Sequence, residues 1–172
     1  MKNITQKLSD SEYEKNFEEL ISPFSDNSAV IEANRCLYCF DAPCIKACPT
    51  HIDIPTFIKK ISTGNIIGSA KTIYEANWIA LTCAKACPVD DLCEGACVFI
   101  EKGEKPIEIG RLQRFSVEHL LNNETKNLFI KKPANGKSIG IVGSGPAGLA
   151  CGAELAVLGY DVQIYESDKI PG

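Results

Sequence analysis

The sequence predicts a mainly α chain, a cysteine-rich helical domain followed by a single βαβ unit. Three observations carry that expectation. Apolar residues recur at helical spacing through much of the first 121 positions, and no alternating strand pattern precedes residue 138. Eight of the nine cysteines fall between Cys36 and Cys97. From Ser138 to Tyr165 a short apolar run, a glycine triplet, an apolar helix pattern and a second short run follow one another. The organisation expected is a helical extension over 1–28, a helical domain over 29–121, a connector over 122–137 and an incomplete α/β domain over 138–172.

In chain order, Ser9 and Glu12 form a capping-box pattern ahead of Tyr13, Phe17, Leu20 and Ile21, which reads as a surface helix docked on the rest. A short helix from about Ser28 to Arg35 delivers the first cysteines. Pro55 suits the start of a helix carrying Phe57, Ile58 and Ile61, with Gly64 as its stop. Ile66, Ile67, Ala70, Ile73 and Tyr74 repeat on one face of the next helix, and Ile109, Leu112, Ser116 and Leu120 mark another. Asn122 to Lys137 is polar and turn-rich apart from Leu128 to Ile130, as a connector should be. Ser138 to Val142 is then a strand, Pro146 to Leu158 a helix stopped by Gly159, and Val162 to Tyr165 a second strand.

A net charge of −4, with 45% hydrophobic and 23% charged residues, is ordinary for a globular protein and lacks the basic excess of a nucleic-acid binder. No apolar run approaches the roughly 18 residues of a membrane helix, and the first residues do not form a secretory signal. Nine cysteines without an export signal point to the reducing cytoplasm, where thiols bind metal or do redox chemistry.

The cysteines form two groups. The first runs Cys36-x2-Cys39-x4-Cys44-x3-Cys48-Pro49, the second Cys83-x3-Cys87-Pro88-x4-Cys93-x3-Cys97. Short spacings supply neighbouring thiolates and a distant group closes the site, which is what an iron–sulfur cluster requires. The Cys-Pro step, present twice, resembles the end of the bacterial ferredoxin run, whose last cysteine serves the other cluster, so interleaved ligation is expected. Cys36-x2-Cys39 alone would suit zinc equally well. Zinc leaves the dense Cys44 and Cys48 and the doubled Cys-Pro without a reason. Cysteine arithmetic makes two all-cysteine clusters with Cys83 as the eighth ligand. Arg35, Lys46, Lys85, Arg111 and Arg114 lie close to these positions and read mostly as solvated side chains.

Gly143-Ser144-Gly145-Pro146-Ala147-Gly148 sits between strand and helix, the context a dinucleotide fingerprint needs. Gly143 permits the tight turn, Gly145 lets backbone approach a pyrophosphate, and Gly148 lets helix pack on strand. The phosphates then meet unpaired N–H groups at a helix N-terminus, and Glu166 at the end of the second strand suits the ribose hydroxyls. The spacing does not separate FAD from NAD. Cys151 reads as a buried small hydrophobe.

With these motifs placed, the chain resembles the N-terminal part of the dihydropyrimidine dehydrogenase family, specifically its FAD-containing electron-input portion. The carrying segments are Cys36 to Thr50, Leu81 to Cys97, Pro106 to Phe115 and Gly143 to Glu166. The small subunit of glutamate synthase shares the layout and is the alternative, as is a stand-alone relay module without catalysis. The gap between Cys87 and Cys93 looks like the pyrimidine enzymes. The resemblance implies a helical ferredoxin-like domain with two [4Fe-4S] clusters and a Rossmann-like flavin domain oxidising NADH or NADPH. It also implies a partner subunit or domain carrying FMN, and a homodimer contact through the iron–sulfur domain. It assigns Cys36, Cys39, Cys44 and Cys97 to one cluster, and Cys48, Cys87, Cys93 and Gln113 to the other, leaving Cys83 free. It assigns no catalytic residue. Because a two-strand βαβ unit cannot bury both faces of its sheet, the chain is expected to be a piece of a longer protein and not to retain FAD by itself.

Overall fold

The computed structural model describes residues 8–17, 19–123 and 128–172. The first seven residues of the expected extension, residue 18, and residues 124–127 of the expected connector lie outside them. Nine helices and two strands are present among the described residues: α1 Asp10–Asn16, α2 Asp26–Arg35, α3 Pro43–Ala47, α4 Ile54–Ser62, α5 Ile66–Ala76, α6 Ala80–Ala86, α7 Val98–Glu101, α8 Ile109–Asn122, β1 Ser138–Val142, α9 Pro146–Val157 and β2 Asp161–Tyr165. None of these helices is long and apolar enough to cross a membrane.

The helical part is built around α8, which packs on α2, α4, α5 and α6. Leu112, Phe115 and Val117 of α8 meet Phe57, Ile58 and Ile61 of α4 and Ile73 of α5 in one core. Inside it Ser69 and Ser116 satisfy each other at 2.8 Å, so neither hydroxyl is buried unpaired. The amphipathic helices start at side-chain caps: Ser25 for α2, Asp53 for α4 and Asn65 for α5. Gly64 takes a left-handed φ of 79° between α4 and α5, where a side chain would be strained.

The N-terminal segment differs from expectation. The capping box of Ser9 and Glu12 forms, but α1 buries no residue; Phe17 is 83% and Leu20 98% exposed. Seven residues are too short for a stable stripe, and the helix ends before Leu20 and Ile21. What docks instead is the non-helical stretch after it. Arg114 donates to the Ile21 carbonyl at 3.0 Å and pairs with Glu19, while Arg111 donates to the Ser22 carbonyl at 2.8 Å and covers the Phe24 ring.

β1 and β2 pair in parallel, Ser138 opposite Asp161 through Val142 opposite Tyr165, with α9 as the crossover. Gly152 lets α9 approach Ile141, Val162 and Ile164 closely. The helix covers one face only, so Val142 and Tyr165 on the other are 93% and 59% exposed. Cys151 is exposed rather than buried, because it lies on the uncovered side of α9.

Candidate functional site

Three short helices that no periodicity announced carry or adjoin the cysteines. α3 holds Cys44 and ends at Cys48, α6 holds Cys83 and ends at Cys87, and α7 begins after Cys97. Each is too short for an amphipathic stripe. Between them the backbone enters left-handed space at Tyr38, Ala42 and His51, with φ of 52°, 22° and 53°. Such positions cost about 1–2 kcal/mol each for a residue with a Cβ. They turn the loop inward, and Tyr38 is held there by bonds to the Ala33 carbonyl and Ser62 Oγ, both 3.2 Å.

The result is two separate thiol-lined cavities. Cys36, Cys39, Cys44 and Cys97 line the first, with Ile54, Ile58, Ile107 and Ile109 closing it. Cys48, Cys83, Cys87 and Cys93 line the second, together with Gln113. Each cavity takes cysteines from both sequence groups, and Cys48 lies across the chain from its neighbours Cys44 and Cys39, as interleaving requires. All nine cysteines are free thiols. Burial raises the Cys44 thiol to about 11, with Cys36 nearby adding to it. Burial likewise raises Cys93 to about 12, helped by the Glu94 carboxylate and Cys48. Cys36 and Cys87 are raised for the same reason, and Cys83 hydrogen-bonds the Cys87 sulfur. Backbone amides of Tyr38, Ile45 and Glu94 donate to the sulfurs of Cys36, Cys44 and Cys93.

Among the described residues no three Cys, His, Asp or Glu side chains converge closely enough to hold one metal ion. Zinc draws its sulfurs to about 2.3 Å from a single centre. Thiols arranged around a cavity, with soft donors and a lining that is otherwise mostly apolar, fit a polynuclear iron–sulfur cluster instead.

Gln113 is not a surface amide. It is 7% exposed, and its Nε2 donates to the carbonyl of Ala80 at 2.8 Å, which fixes the amide with Oε1 as its remaining donor atom. Of the cations expected to be mostly solvated, Lys46 and Lys85 are exposed, but Arg114 is buried, and Arg35 donates to Glu32, Lys105 and Pro106, tying α2 to the segment before α8. Lys85 pairs with Glu19 and Glu118. Glu94, buried and with its carboxyl pushed up by that burial, accepts the Gly110 N–H at 2.9 Å and ties the second cysteine loop to α8.

The glycine loop joins β1 to α9. Gly143 has φ of 93°, and a Cβ on Gly148 would lie against the Gly143 carbonyl. A Cβ on Gly145 would meet nothing within 4 Å. Glu166 is brought back to this loop: its Oε2 accepts both the N–H and the hydroxyl of Ser144 at 2.7 Å, and Oε1 accepts the amides of Ser167 and Asp168. These bonds, Ser144 first, hold its carboxyl down to about 2. The sequence pattern placed Glu166 near the ribose; its grip on Ser144 was not visible there.

The family described as dihydropyrimidine dehydrogenase domain II, 4Fe-4S cluster, matches residues 13–125, the stretch that contains both cavities. The chain belongs to this family. The NAD(P)-binding Rossmann-like domain family matches residues 141–172. Over 158 residues the chain is 41% identical to the NAD-dependent dihydropyrimidine dehydrogenase subunit PreT of Escherichia coli K12, covering 90% of this chain and 37% of that protein. Over 156 residues it is 42% identical to PreT of Salmonella typhimurium, again covering 90% and 37%. The chain therefore spans 37% of the length of these curated relatives. Membership in the dihydropyrimidine dehydrogenase domain II family agrees with the resemblance drawn from Cys36 to Glu166, and the mainly helical fold with one βαβ unit is the architecture expected. For a member of this family, the residues that periodicity alone misses are the ones that shape the cavities: Tyr38, Ala42, His51 and Gly95. A Cβ on Gly95 would lie on the Asp90 carbonyl, a close approach that no local pattern reveals.

Proposed function

We propose that this chain is the electron-input portion of an NAD(P)H-dependent flavoprotein oxidoreductase. In this reading it holds two [4Fe-4S] clusters in its helical part and FAD at its glycine loop, and it serves a partner that acts on pyrimidines. The observation that carries this reading is the pairing, in one chain, of two thiol-lined cavities with a strand–Gly-x-Gly-x-x-Gly–helix turn. The relatives' names, NAD-dependent dihydropyrimidine dehydrogenase subunits, support the substrate class and the nicotinamide donor.

Cys36, Cys39, Cys44 and Cys97 are the ligands we assign to the first cavity, and Cys48, Cys87, Cys93 and Gln113 to the second. Supporting Gln113 over Cys83 are the burial of its amide and the Ala80 bond, which holds Nε2 and leaves Oε1 uncommitted. When bound, the clusters supply one-electron carriers between a flavin and the partner. The chain's own residues exclude water from the thiolates with an isoleucine wall and offset their charge with amide donors. In the loop, the amides of Ala147 and Gly148 belong to the first turn of α9 and are available to a pyrophosphate. Glu166 retains lone pairs for a ribose hydroxyl beside its Ser144 bonds.

The division at 28, 121 and 137 stands as part of the proposal, as do a partner carrying FMN, a homodimer contact through the helical part and a cytoplasmic location, which free thiols favour. Anaerobically purified protein should contain about eight iron and eight sulfide per chain. Stoichiometric zinc without thiolate–iron absorption overturns the assignment.

A further inference from the structure

Trp78, the chain's one tryptophan, lines neither cysteine cavity. It sits in the turn between α5 and α6, where buried Asn77 accepts the Ile79 N–H at 3.1 Å and locks the corner. Its indole Nε1 donates to Glu154 Oε2 on α9 at 2.8 Å, across 76 residues of sequence. Its ring lies 4.7 Å from that of Phe129, tilted by 55°, and 6.4 Å from Tyr74. Phe129 lies at the start of the stretch that leads into the βαβ unit, one residue after Leu128, and the residues after it are bonded to that unit. Lys132 N–H donates to Val157 at 2.8 Å, Asn135 N–H to Gly159 at 3.1 Å, and Lys137 accepts from Asp161 at 3.0 Å. The connecting stretch therefore moves with the βαβ unit, and Trp78 is where the helical part grips both.

We propose that Trp78, with Phe129 and Glu154, is the latch that seats the nucleotide-binding unit on the α5–α6 corner, making Trp78 a positioning residue for passage of electrons between the two sites. An interface this narrow leaves domain motion as the default unless a specific contact stops it. Tryptophan suits the task because one side chain supplies a large apolar face and a directional N–H. Its place is informative as well. Ala80, whose carbonyl holds Gln113, is two residues on, and Cys83 is in the same helix. One locked corner thus sets both the second cavity's wall and the seat of α9. The latch itself stands on these contacts; only its service to electron transfer rests on the function proposed above.

A single tryptophan makes the test direct. In the 172-residue protein, Glu154→Ala and Phe129→Ala should shift Trp78 emission to the red and speed tryptic cleavage after Lys131 about tenfold, as expected from losing one such contact. Glu154→Gln keeps an acceptor for the indole and should restore wild-type emission and cleavage. Trp78→Phe keeps a ring against Phe129 but loses the indole N–H, so its cleavage should speed up about as much as that of Glu154→Ala. Unchanged iron content and unchanged helical circular dichroism confirm that the variants fold. Wild-type emission and cleavage in both alanine variants overturn the latch. In the longer flavoprotein, Glu154→Ala should slow cluster bleaching after NAD(P)H is added while flavin reduction keeps its rate, and Glu154→Gln should not. Normal bleaching in a variant whose latch has opened overturns the positioning role. Absence of clusters would instead sink the electron-transfer reading and leave the emission and cleavage results standing.

Discussion

Exchange of Gln113 distinguishes the two ligand sets that the cysteine spacings leave open. The side chain is 7% exposed and its Nε2 donates at 2.8 Å to the carbonyl of Ala80, itself fully buried. Gln113→Ala removes that bond, a loss of about 0.5–1.5 kcal/mol. That is a fraction of the roughly 5–15 kcal/mol by which domains of this kind are stable, so the variant should still fold. Gln113→Glu is more diagnostic, because it keeps the shape and adds a negative charge beside the second cavity. At about 4 Å and an effective dielectric of about 20, one charge contributes about 4 kcal/mol. For a one-electron couple that corresponds to about 180 mV. The sign follows from charge: an anionic ligand favours the oxidised cluster, so the potential falls. The assay is a redox titration followed by low-temperature paramagnetic resonance, in which one cluster should shift and the other stay fixed. The reasoning fails if Gln113→Glu moves neither potential by more than about 30 mV, a twofold to threefold change in equilibrium. It fails equally if Cys83→Ala loses a cluster while Gln113→Ala leaves both signals unchanged.

Gly95→Ala should drop iron content toward zero rather than by half, since its Cβ would lie on the Asp90 carbonyl and the displaced loop carries both Cys93 and Cys97; metal analysis at constant protein checks it. Gly145→Val and Gly148→Ala should separate binding from folding. The first places its side chain in open space, so urea stability should change by less than about 1 kcal/mol while the FAD binding proposed for this loop is lost. The second meets the Gly143 carbonyl and should cost about 1–3 kcal/mol, seen as faster amide exchange over residues 138–165. Glu166, held down to about 2 from 4.5, favours the closed glycine loop above pH 4.5, and that support is lost as pH falls from 4.5 toward 2. Carboxyl titration by NMR should show the low midpoint, and Ser144→Ala should bring it back toward 4.5.

Much of this protein was determined by local sequence alone. The amphipathic helices α2, α4, α5 and α8 were legible because each buries a stripe that repeats every three or four residues, with Pro55 and Gly64 marking the bounds of α4. The βαβ unit was legible because Gly143, Gly145 and Gly148 answer short-range demands of one turn. The cysteines were legible as a metal-binding set because thiols at that density have few other uses. What only the tertiary structure decided is which thiols meet. Cys97 shares a cavity with Cys36, and Cys48 with Cys93, because the packing of α2 and α6 on α8, the Glu94 bond to Gly110 and the Arg35 bonds to Lys105 and Pro106 draw distant loops together. The helices α3, α6 and α7 escaped prediction because they face a cavity instead of an apolar core, so their residues obey no period. The N-terminal pattern at Tyr13 to Ile21 misled for the converse reason: the spacing was present, but no surface received it, and Glu19 and Ile21 are held by arginine contacts rather than by burial. Helical period, caps and turns are properties of a few neighbouring residues. The cavity walls, the buried Gln113 amide and the Trp78–Glu154 bond join residues 33 and 76 positions apart, a separation that no local pattern encodes.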